Sequence, residues 1–386
     1  MNVVFLSPHF PPNMTLFCVR LQQQGATVLG VADAPYDALR PELRAALTEY
    51  YRVDDMHDLR ALIRALGYLT HRYGKLDRLD SLNEYWLETE AALRTEFNIT
   101  GIRADGIDRV KRKSHMKRVF EKAGIAVARG EVCRDAPEAR AFVEEVGYPI
   151  IAKPDVGVGA ARTYRLEDDT DLEAYLGDKP AIDYILEECV TGTLLTYDGL
   201  VGRDGKVVFD STLTYGLPVL DAVRGGDMYY WIPREIPPEL RDVGLRTLRA
   251  FHVRERPFHF EYFWLDDGTI VALEVNMRQP GGLTVDMWNY ANDMDFYRAW
   301  AEIVVAGRTG ERPSRAYNCA YAGRKTGRSY RMTHEEVLAR FGSLLVHHER
   351  IDDVFSPAVG NYGYIMRHPD LEPLLDAARL IQEVSS

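Results

Sequence analysis

The chain contains the stretch Phe258-His-Phe-Glu-Tyr-Phe-Trp-Leu265, then Asp266-Asp-Gly-Thr269, then Ile270-Val-Ala-Leu-Glu-Val-Asn276. Asp-Gly between two runs of alternating apolar residues is a strong short-range signal for a β-hairpin. A symmetric two- or four-residue loop places Glu261 opposite Glu274 and His259 opposite Asn276. We therefore predict strands over residues 258–265 and 270–276, paired in that register.

The two faces of this hairpin differ in chemistry because successive side chains of a strand point to opposite sides. The predicted apolar face carries Phe260, Tyr262, Trp264, Val271, Leu273 and Val275, and the polar face carries Glu261, Glu274, Asn276 and, if the strand continues, Arg278. Like charges directly opposite, about 4.5–5.5 Å apart at Cβ, destabilise a sheet. A cation between them removes that cost, and hard oxygen ligands suit Mg²⁺ or Mn²⁺. A solvated acidic face is the alternative, and the hairpin pattern leaves both open.

Composition limits the classes of partner. The 386 residues suggest two or three domains, and 46% hydrophobic residues suffice for real cores. A net charge of −11 argues against binding to nucleic acid or to an anionic membrane surface and favours small molecules. The sequence has no apolar run of membrane-spanning length and no signal-peptide pattern. Four scattered cysteines without a CxxC pair indicate reduced thiols, and so a cytoplasmic protein; they are Cys18, Cys133, Cys189 and Cys319.

The order of elements predicts an α/β protein. Short apolar runs alternate with amphipathic ones in the first hundred residues, which indicates a parallel sheet covered by helices. A basic amphipathic helix is predicted from Lys111 to Ala123. We expect an N-terminal βα domain over 1–105, a small lobe over 106–190, a large lobe over 191–310 and a small mixed C-terminal subdomain over 311–386.

A glycine-bearing loop follows the predicted strand Ile150-Ile-Ala-Lys153 and includes Gly157 and Gly159. Such a loop can bring backbone N–H groups close to phosphate oxygens, although on its own it is more often a turn. Lys153 ends an apolar strand, from which its ammonium could reach a phosphate.

Two further charged positions are ambiguous from local sequence. Lys113 begins a helix, which is unfavourable for a cation unless an anion is near. It could equally belong to a solvated basic cluster with Arg109, Lys111, Arg112, Lys117 and Arg118. Glu187 and Glu188 end a predicted strand before Val190-Thr-Gly192, where a carboxylate could bind a ribose or face water.

In their order along the chain, these features resemble the ATP-grasp superfamily. The matching signals are Lys113 before Ala123-Gly-Ile125, Gly147-Tyr-Pro149 before the strand that ends in Lys153, and the glycine loop. They continue with Glu187-Glu188 before Gly192, then Glu261, then Glu274-Val-Asn-Met-Arg278. The resemblance covers about residues 106–305. One departure is that Thr193-Leu-Leu-Thr196 lacks the acidic residue that many members carry shortly after this glycine.

The resemblance implies ATP bound between two α+β lobes, with the glycine loop as a lid over the phosphates and a Rossmann-like βα domain in front. It implies contacts to ATP from Lys113, Lys153, Gly157, Gly159, Glu187, Glu188 and Val190. It also implies two magnesium ions held by Glu261, Glu274 and Asn276, and an Arg278 that stabilises the transferred phosphoryl group or the acyl phosphate.

Most such enzymes activate a carboxylate with ATP for attack by an amine. Arg278-Gln-Pro-Gly281-Gly282 resembles the version found in amino acid ligases, so we expect a carboxylate–amine ligase acting on small, amino-acid-like molecules. Arg224, Gly281 and Gly282 are candidate substrate residues. The family resemblance also makes a homodimer a reasonable expectation.

Three other functions remain as alternatives. They are a biotin-carboxylase-like carboxylation of a partner, a regulatory ATP-binding subunit that has lost catalysis, and a glycosidase that uses Glu261 and Glu274. The regulatory reading predicts the loss of a metal ligand, yet all the candidate ligands are present. The glycosidase reading explains neither Lys153 nor the glycine loop.

Overall fold

The structure is a computed structural model that describes residues 1–157, 162–217, 222 and 225–385. The first part of the chain forms a parallel four-stranded sheet in the order β3-β2-β1-β4. Apolar residues of β1 and β2 pack against Leu62, Leu66 and Leu69, which recur on one face of helix α3. The elements are β1 (Asn2–Leu6), α1 (Met14–Gln23), β2 (Thr27–Ala32), α2 (Pro41–Ala46), β3 (Glu49–Arg52), α3 (Leu59–Tyr73), β4 (Arg78–Asp80) and α4 (Leu87–Glu96).

A second, antiparallel sheet has the strand order β5-β8-β6-β7. Its central strands β6 and β8 carry Lys153 and Glu187 near their ends. The elements of this region are α5 (Asp108–Lys111), α6 (Lys113–Lys122), β5 (Gly130–Val132), α7 (Ala136–Val146), β6 (Ile150–Pro154), β7 (Tyr164–Leu166), α8 (Asp169–Asp178) and β8 (Tyr184–Glu188).

The rest of the described chain contains a large sheet and the helices that pack on it. The strand order of this sheet is β14-β13-β9-β11-β12-β15-β17-β16, with β10 beside β9. The C-terminal strands β15, β16 and β17 are hydrogen-bonded into this sheet. Its elements are β9 (Thr193–Val201), β10 (Val207–Ser211), β11 (Thr214–Tyr215), β12 (Tyr229–Ile232), α9 (Pro238–Ala250), β13 (Pro257–Trp264), β14 (Ile270–Asn276), α10 (Thr284–Asn292), α11 (Phe296–Ala306), β15 (Asn318–Arg324), α12 (His334–Phe341), β16 (Leu345–Arg350), α13 (Ser356–Val359), β17 (Tyr362–His368) and α14 (Glu372–Ile381).

The predicted α/β fold class is confirmed, but the helix from Lys111 to Ala123 is wrong at its start. Two helices, α5 and α6, are separated at Arg112, whose backbone is extended. Asp155 explains the break, because its Oδ1 accepts from the Ser114 backbone N–H at 2.8 Å and its carbonyl accepts from that of Lys113 at 2.9 Å. A new helix therefore begins at Lys113. The four-part division of the chain stays a prediction.

The hairpin forms with the predicted register at its polar end. His259 pairs with Asn276 and Glu261 with Glu274, but the register then shifts, so that Tyr262 pairs with Ala272. This bulge corrects the predicted apolar face, since Ala272 and Ile270, and not Leu273 and Val271, join the core beneath Phe260 and Tyr262. It lies between the glutamates and the turn, so it leaves the Glu261–Glu274 pair intact.

No helix among the described residues has both the length and the apolar character needed to span a membrane.

Candidate active site

Glu261 and Glu274 lie opposite each other on β13 and β14, with side chains about one-fifth exposed (23% and 21%). Glu274 Oε2 lies 3.8 Å from Lys113 Nζ of α6. Burial and the nearby Glu261 carboxylate raise the pKa of Glu274, although Lys113 opposes them. Asn276 is buried beside them, with its Oδ1 3.4 Å from Arg278 Nη2. Two carboxylates and an amide oxygen thus converge on one face of the hairpin.

A buried histidine orients one of these carboxylates. His259 is 3% exposed; its Nδ1 lies 2.8 Å from Asp198 Oδ1 and its Nε2 lies 3.0 Å from Glu261 Oε1. Thr196 Oγ1 donates to the other Asp198 oxygen at 2.5 Å. Burial alone would lower the pKa of His259, but Asp198 and Glu261 outweigh it and raise the pKa to about 9. The imidazolium in turn helps to lower the pKa of Glu261 against its burial.

Two lysines share one buried carboxylate next to the hairpin. Glu187 forms salt bridges with Lys153 Nζ at 2.6 Å and with Lys117 Nζ at 2.8 Å, and all three residues are buried. Burial acts to raise the pKa of Glu187, but the two ammonium groups outweigh it and lower the pKa. Gly130 makes room for this arrangement, because a Cβ there would lie 2.7 Å from Lys117 Cε and 2.9 Å from Glu187 Cγ.

The basic cluster around Lys113 is not a solvated surface. Lys111, Lys113 and Lys117 are between 5% and 7% exposed, so the solvated alternative is wrong for these three residues. Lys113 faces Glu274, whereas Lys117, one helical turn later, faces Glu187. Helix α6 therefore links the hairpin carboxylates to the Lys153 strand.

The other predicted site residues are less closely gathered. Glu188 pairs with Arg129 at 2.8 Å near the surface, and Val190 lies in the loop after β8. Gly157 follows β6, and a Cβ added there would lie 3.4 Å from Pro154 Cβ. Gly159 and Arg224 lie outside the described residues.

A cavity of about 1420 Å³ opens beside Arg278. The candidate substrate residues Gly281 and Gly282 line it, as do Gln279, Glu84 and residues of the loop after β16. Arg278 donates to the Gln279 carbonyl at 2.7 Å and lies 3.9 Å from Glu84 Oε2. Within the described chain, the cavity adjoins the carboxylate pair through Arg278 and is large enough for small-molecule substrates.

Sequence reasoning missed several residues of this site. His259 could have been found, because a residue two positions before Glu261 shares its face. Lys117 could have been found from its spacing to Lys113. Asp198 is the first acidic residue after Gly192, but only the pairing of β9 with β13 brings it to His259. No local pattern marked Glu84, which is the first residue of a short 3₁₀ helix between β4 and α4.

The donor set fits magnesium. In the described residues no group of three or more His, Cys, Asp or Glu side chains forms a metal cluster by itself. A pair of carboxylates completed by an amide oxygen still suits a hard cation that keeps phosphate oxygens and water as its remaining ligands. The pKa of Glu274 is raised because burial and Glu261 disfavour its charged form. A cation at this position would stabilise that charged form.

Sequence comparisons find a ligase and a synthase among the similar proteins. A scan against protein-family models finds no match. The L-arginine-specific L-amino acid ligase of Bacillus subtilis is 26% identical over 267 residues, which cover 64% of each chain. The carbamoyl phosphate synthase large chain of Bifidobacterium adolescentis is 25% identical over 214 residues, covering 51% of this chain and 19% of that one. The chain thus spans less than two thirds of either relative's length.

Solved structures match almost the whole chain. An L-amino acid ligase from Bacillus licheniformis has a TM-score of 0.76 at 15% identity and covers 98% of this chain and 96% of its own. An N5-carboxyaminoimidazole synthetase from Staphylococcus aureus, complexed with ADP, has a TM-score of 0.75 at 14% identity, with coverages of 99% and 97%. The chain therefore shares the fold of these two structures, which is the fold that the resemblance to the ATP-grasp superfamily predicts.

Proposed function

We propose that this protein is an ATP-dependent ligase that joins a small carboxylate to an amine. One observation carries the proposal: Glu274 lies opposite Glu261 on the hairpin and 3.8 Å from Lys113 of α6. Ligands for a cation and an ammonium suited to a phosphate therefore meet at one point. Arg278, two residues after Asn276, extends this site to the cavity.

Each residue has a role in this proposal. Lys113 and Lys153 neutralise phosphate oxygens of ATP; before the nucleotide arrives, Lys113 faces Glu274 and Lys153 pairs with Glu187. Glu187, Glu188 and Val190 line the adenosine side, and Gly157 and Gly159 cover the phosphates. Glu261, Glu274 and Asn276 would hold two Mg²⁺ ions, which when bound supply charge neutralisation to the phosphates. Arg278 stabilises the transferred phosphoryl group.

The reaction needs no nucleophile from the protein. A carboxylate oxygen of the acid attacks the γ-phosphorus, and ADP leaves with the electrons of the broken P–O bond. The amine then attacks the acyl carbon of the resulting acyl phosphate, which releases phosphate and leaves an amide. Positioning and charge stabilisation by Lys113, Lys153 and Arg278 lower both barriers.

The substrates are amino-acid-like in this proposal. The L-amino acid ligases among the similar proteins support this choice. The cavity beside Arg278 offers space for both an acid and an amine. The four free cysteines fit a reducing cytoplasm, and a homodimer is the oligomeric state we expect.

The test is ADP and phosphate release from ATP with Mg²⁺ across a panel of amino acids and dipeptides. We expect ADP release that requires an acid and an amine together, with one amide formed for each ADP. ATP binding without turnover on any pair would contradict the proposal and favour a regulatory subunit. Turnover that needs bicarbonate and a biotinylated acceptor would instead favour the carboxylase alternative.

A further inference from the structure

Arg256 is a buried arginine that lies directly before β13. It is 5% exposed, and its Nε donates to the Met277 carbonyl at 2.8 Å. Met277 follows Asn276, the residue at which the pairing of β14 with β13 ends. Arg278 comes next, and its Nη1 in turn donates to the Gln279 carbonyl at 2.7 Å. Arg256 therefore holds the backbone between a proposed metal ligand and the arginine beside the cavity.

Met277 lies beyond the hydrogen-bonded ladder of the hairpin, so its carbonyl needs a donor from elsewhere. Met277 is 1% exposed, and a buried carbonyl without a donor destabilises the structure. The side chain of Arg256 supplies this donor from the segment that enters β13. The bond fixes the backbone at Met277, and the neighbours Asn276 and Arg278 take their positions from the same stretch of backbone.

Carboxylates from β4 and α4 oppose the charge of Arg256. Burial and the nearby Arg94 lower the pKa of Arg256. Glu90 and Asp80 act to raise it, and both also accept hydrogen bonds from Arg94, at 2.7 Å and 2.8 Å. Two guanidinium groups therefore share these two acids. Within the described chain, Arg256 Nη2 has no hydrogen-bond partner.

Stability alone does not account for an arginine at this position. Buried ionic groups are often no more stabilising than apolar residues of similar volume, and the unpartnered Nη2 of Arg256 adds a desolvation cost. An apolar side chain would avoid both costs, but it would donate no hydrogen bond to the Met277 carbonyl. This bond is what the arginine supplies.

We propose that Arg256 is a positioning residue, whose bond to the Met277 carbonyl keeps Asn276 in place as a metal ligand and Arg278 in place beside the cavity. This inference rests on the proposed ligase function and adds a residue that acts on the site through the backbone. Groups that orient metal ligands typically contribute about 10–100-fold in metal affinity. Loss of this bond should therefore weaken metal binding even where the fold persists.

Arg256→Lys separates the bond from the charge. A lysine has a methylene group where the arginine has Nε, so the bond to Met277 is lost while a positive charge stays near Glu90 and Asp80. Arg256→Met removes both the bond and the charge. Arg254→Lys is the matched control, because Arg254 is an exposed arginine of the same segment.

The readout is Mn²⁺ binding in the presence of ADP, followed by electron paramagnetic resonance, which needs no turnover. Circular dichroism checks that each variant is folded. We expect the dissociation constant for Mn²⁺ to rise about tenfold or more in Arg256→Lys, and by a similar factor in Arg256→Met. Arg254→Lys should bind Mn²⁺ as the wild type does. Arg256→Lys carries the test even if Arg256→Met does not fold.

Wild-type Mn²⁺ affinity in Arg256→Lys would overturn the inference, because it would assign Arg256 to charge balance alone, and it would leave the ligase proposal intact. Absence of ADP release from the wild type with every acid and amine would overturn the ligase, and the Mn²⁺ affinities of the variants would still decide the role of Arg256. A wild type that binds no Mn²⁺ would overturn the metal site and this inference together.

Discussion

The cleft around the hairpin and the cavity beside Arg278 differ in how their charges are satisfied. In the cleft Lys153 and Lys117 share Glu187, Lys113 faces Glu274, and His259 joins Asp198 to Glu261. In the described wall of the cavity, Glu84 and Gln279 keep oxygens without partners. The cleft thus pairs its charged side chains with counter-ions from within the chain. The cavity lacks such internal pairing at these two oxygens.

The largest effect should come from removal of the counter-ion that two lysines share. Glu187→Gln leaves Lys117 and Lys153 buried without a carboxylate, so the free energy of unfolding should fall by about 3–5 kcal/mol. The adjacent Glu188→Gln is the control, because its pair with Arg129 is half exposed and should contribute less than about 1 kcal/mol. Urea unfolding measures both. Equal losses would show that the cleft is not held by this pairing.

The same pair predicts a pH dependence. The pKa of Glu187 is lowered from its ordinary 4.5, so its contribution to stability is complete above that pH and is lost as the pH falls through the lowered value. The wild type should therefore lose more stability than Glu187→Gln when the pH is taken from 6 to below 4. Parallel curves would contradict the assignment.

Next in size is the carboxylate pair. Glu274→Gln removes one proposed magnesium ligand and should abolish measurable turnover, a loss of about 10²–10³-fold or more. The fold should persist, because the change also relieves repulsion between Glu274 and Glu261. ADP release and circular dichroism measure the two properties. Asp266→Asn, an exposed acid in the turn of the same hairpin, should change neither; full activity in Glu274→Gln would remove it from the metal site.

A smaller effect is expected at Lys113. Lys113→Met removes one proposed phosphate contact, and a hydrogen bond to a charged group contributes about 1.5–3 kcal/mol, or roughly ten- to hundredfold in KM for ATP. Lys122→Met, at the exposed end of the same helix, should leave this KM unchanged. An unchanged KM for ATP in Lys113→Met would show that Lys113 does not contribute to nucleotide binding. The comparison of the cleft with the cavity would then lose one of its supports.

An effect of similar size is expected at His259, which lies behind the proposed metal ligand Glu261. His259→Asn breaks the connection from Asp198 to Glu261, and partners that orient a metal ligand typically contribute about 10–100-fold in metal affinity. The Mg²⁺ concentration for half-maximal rate should rise by that factor, and Mn²⁺ binding followed by electron paramagnetic resonance should weaken in parallel without turnover. A lower maximal rate with unchanged metal dependence would assign His259 to another role.

Much of this architecture could be predicted from local patterns. Alternation in β13 and β14 and the Asp-Gly turn determine the hairpin. At its polar end the register is as predicted, with His259 opposite Asn276 and Glu261 opposite Glu274. The bulge at Leu273 could not be predicted, since it depends on how Ala272 and Ile270 fit the core beneath Tyr262. Likewise, the helix break at Arg112 depends on Asp155, more than forty residues away.

The sequence by itself determined the α/β fold class, the opposed glutamates and the lysines that end or begin regular elements, because periodicity and turn chemistry are local properties. Only the tertiary structure decided which charges meet. Asp198 lies beside His259 because β9 pairs with β13, and Lys117 contacts Glu187 because α6 packs near β8. Glu84 lies 3.9 Å from Arg278 because the segment after β4 lines the cavity. Burial then gives these contacts their strength, since charges removed from water need partners, and here distant parts of the chain supply them.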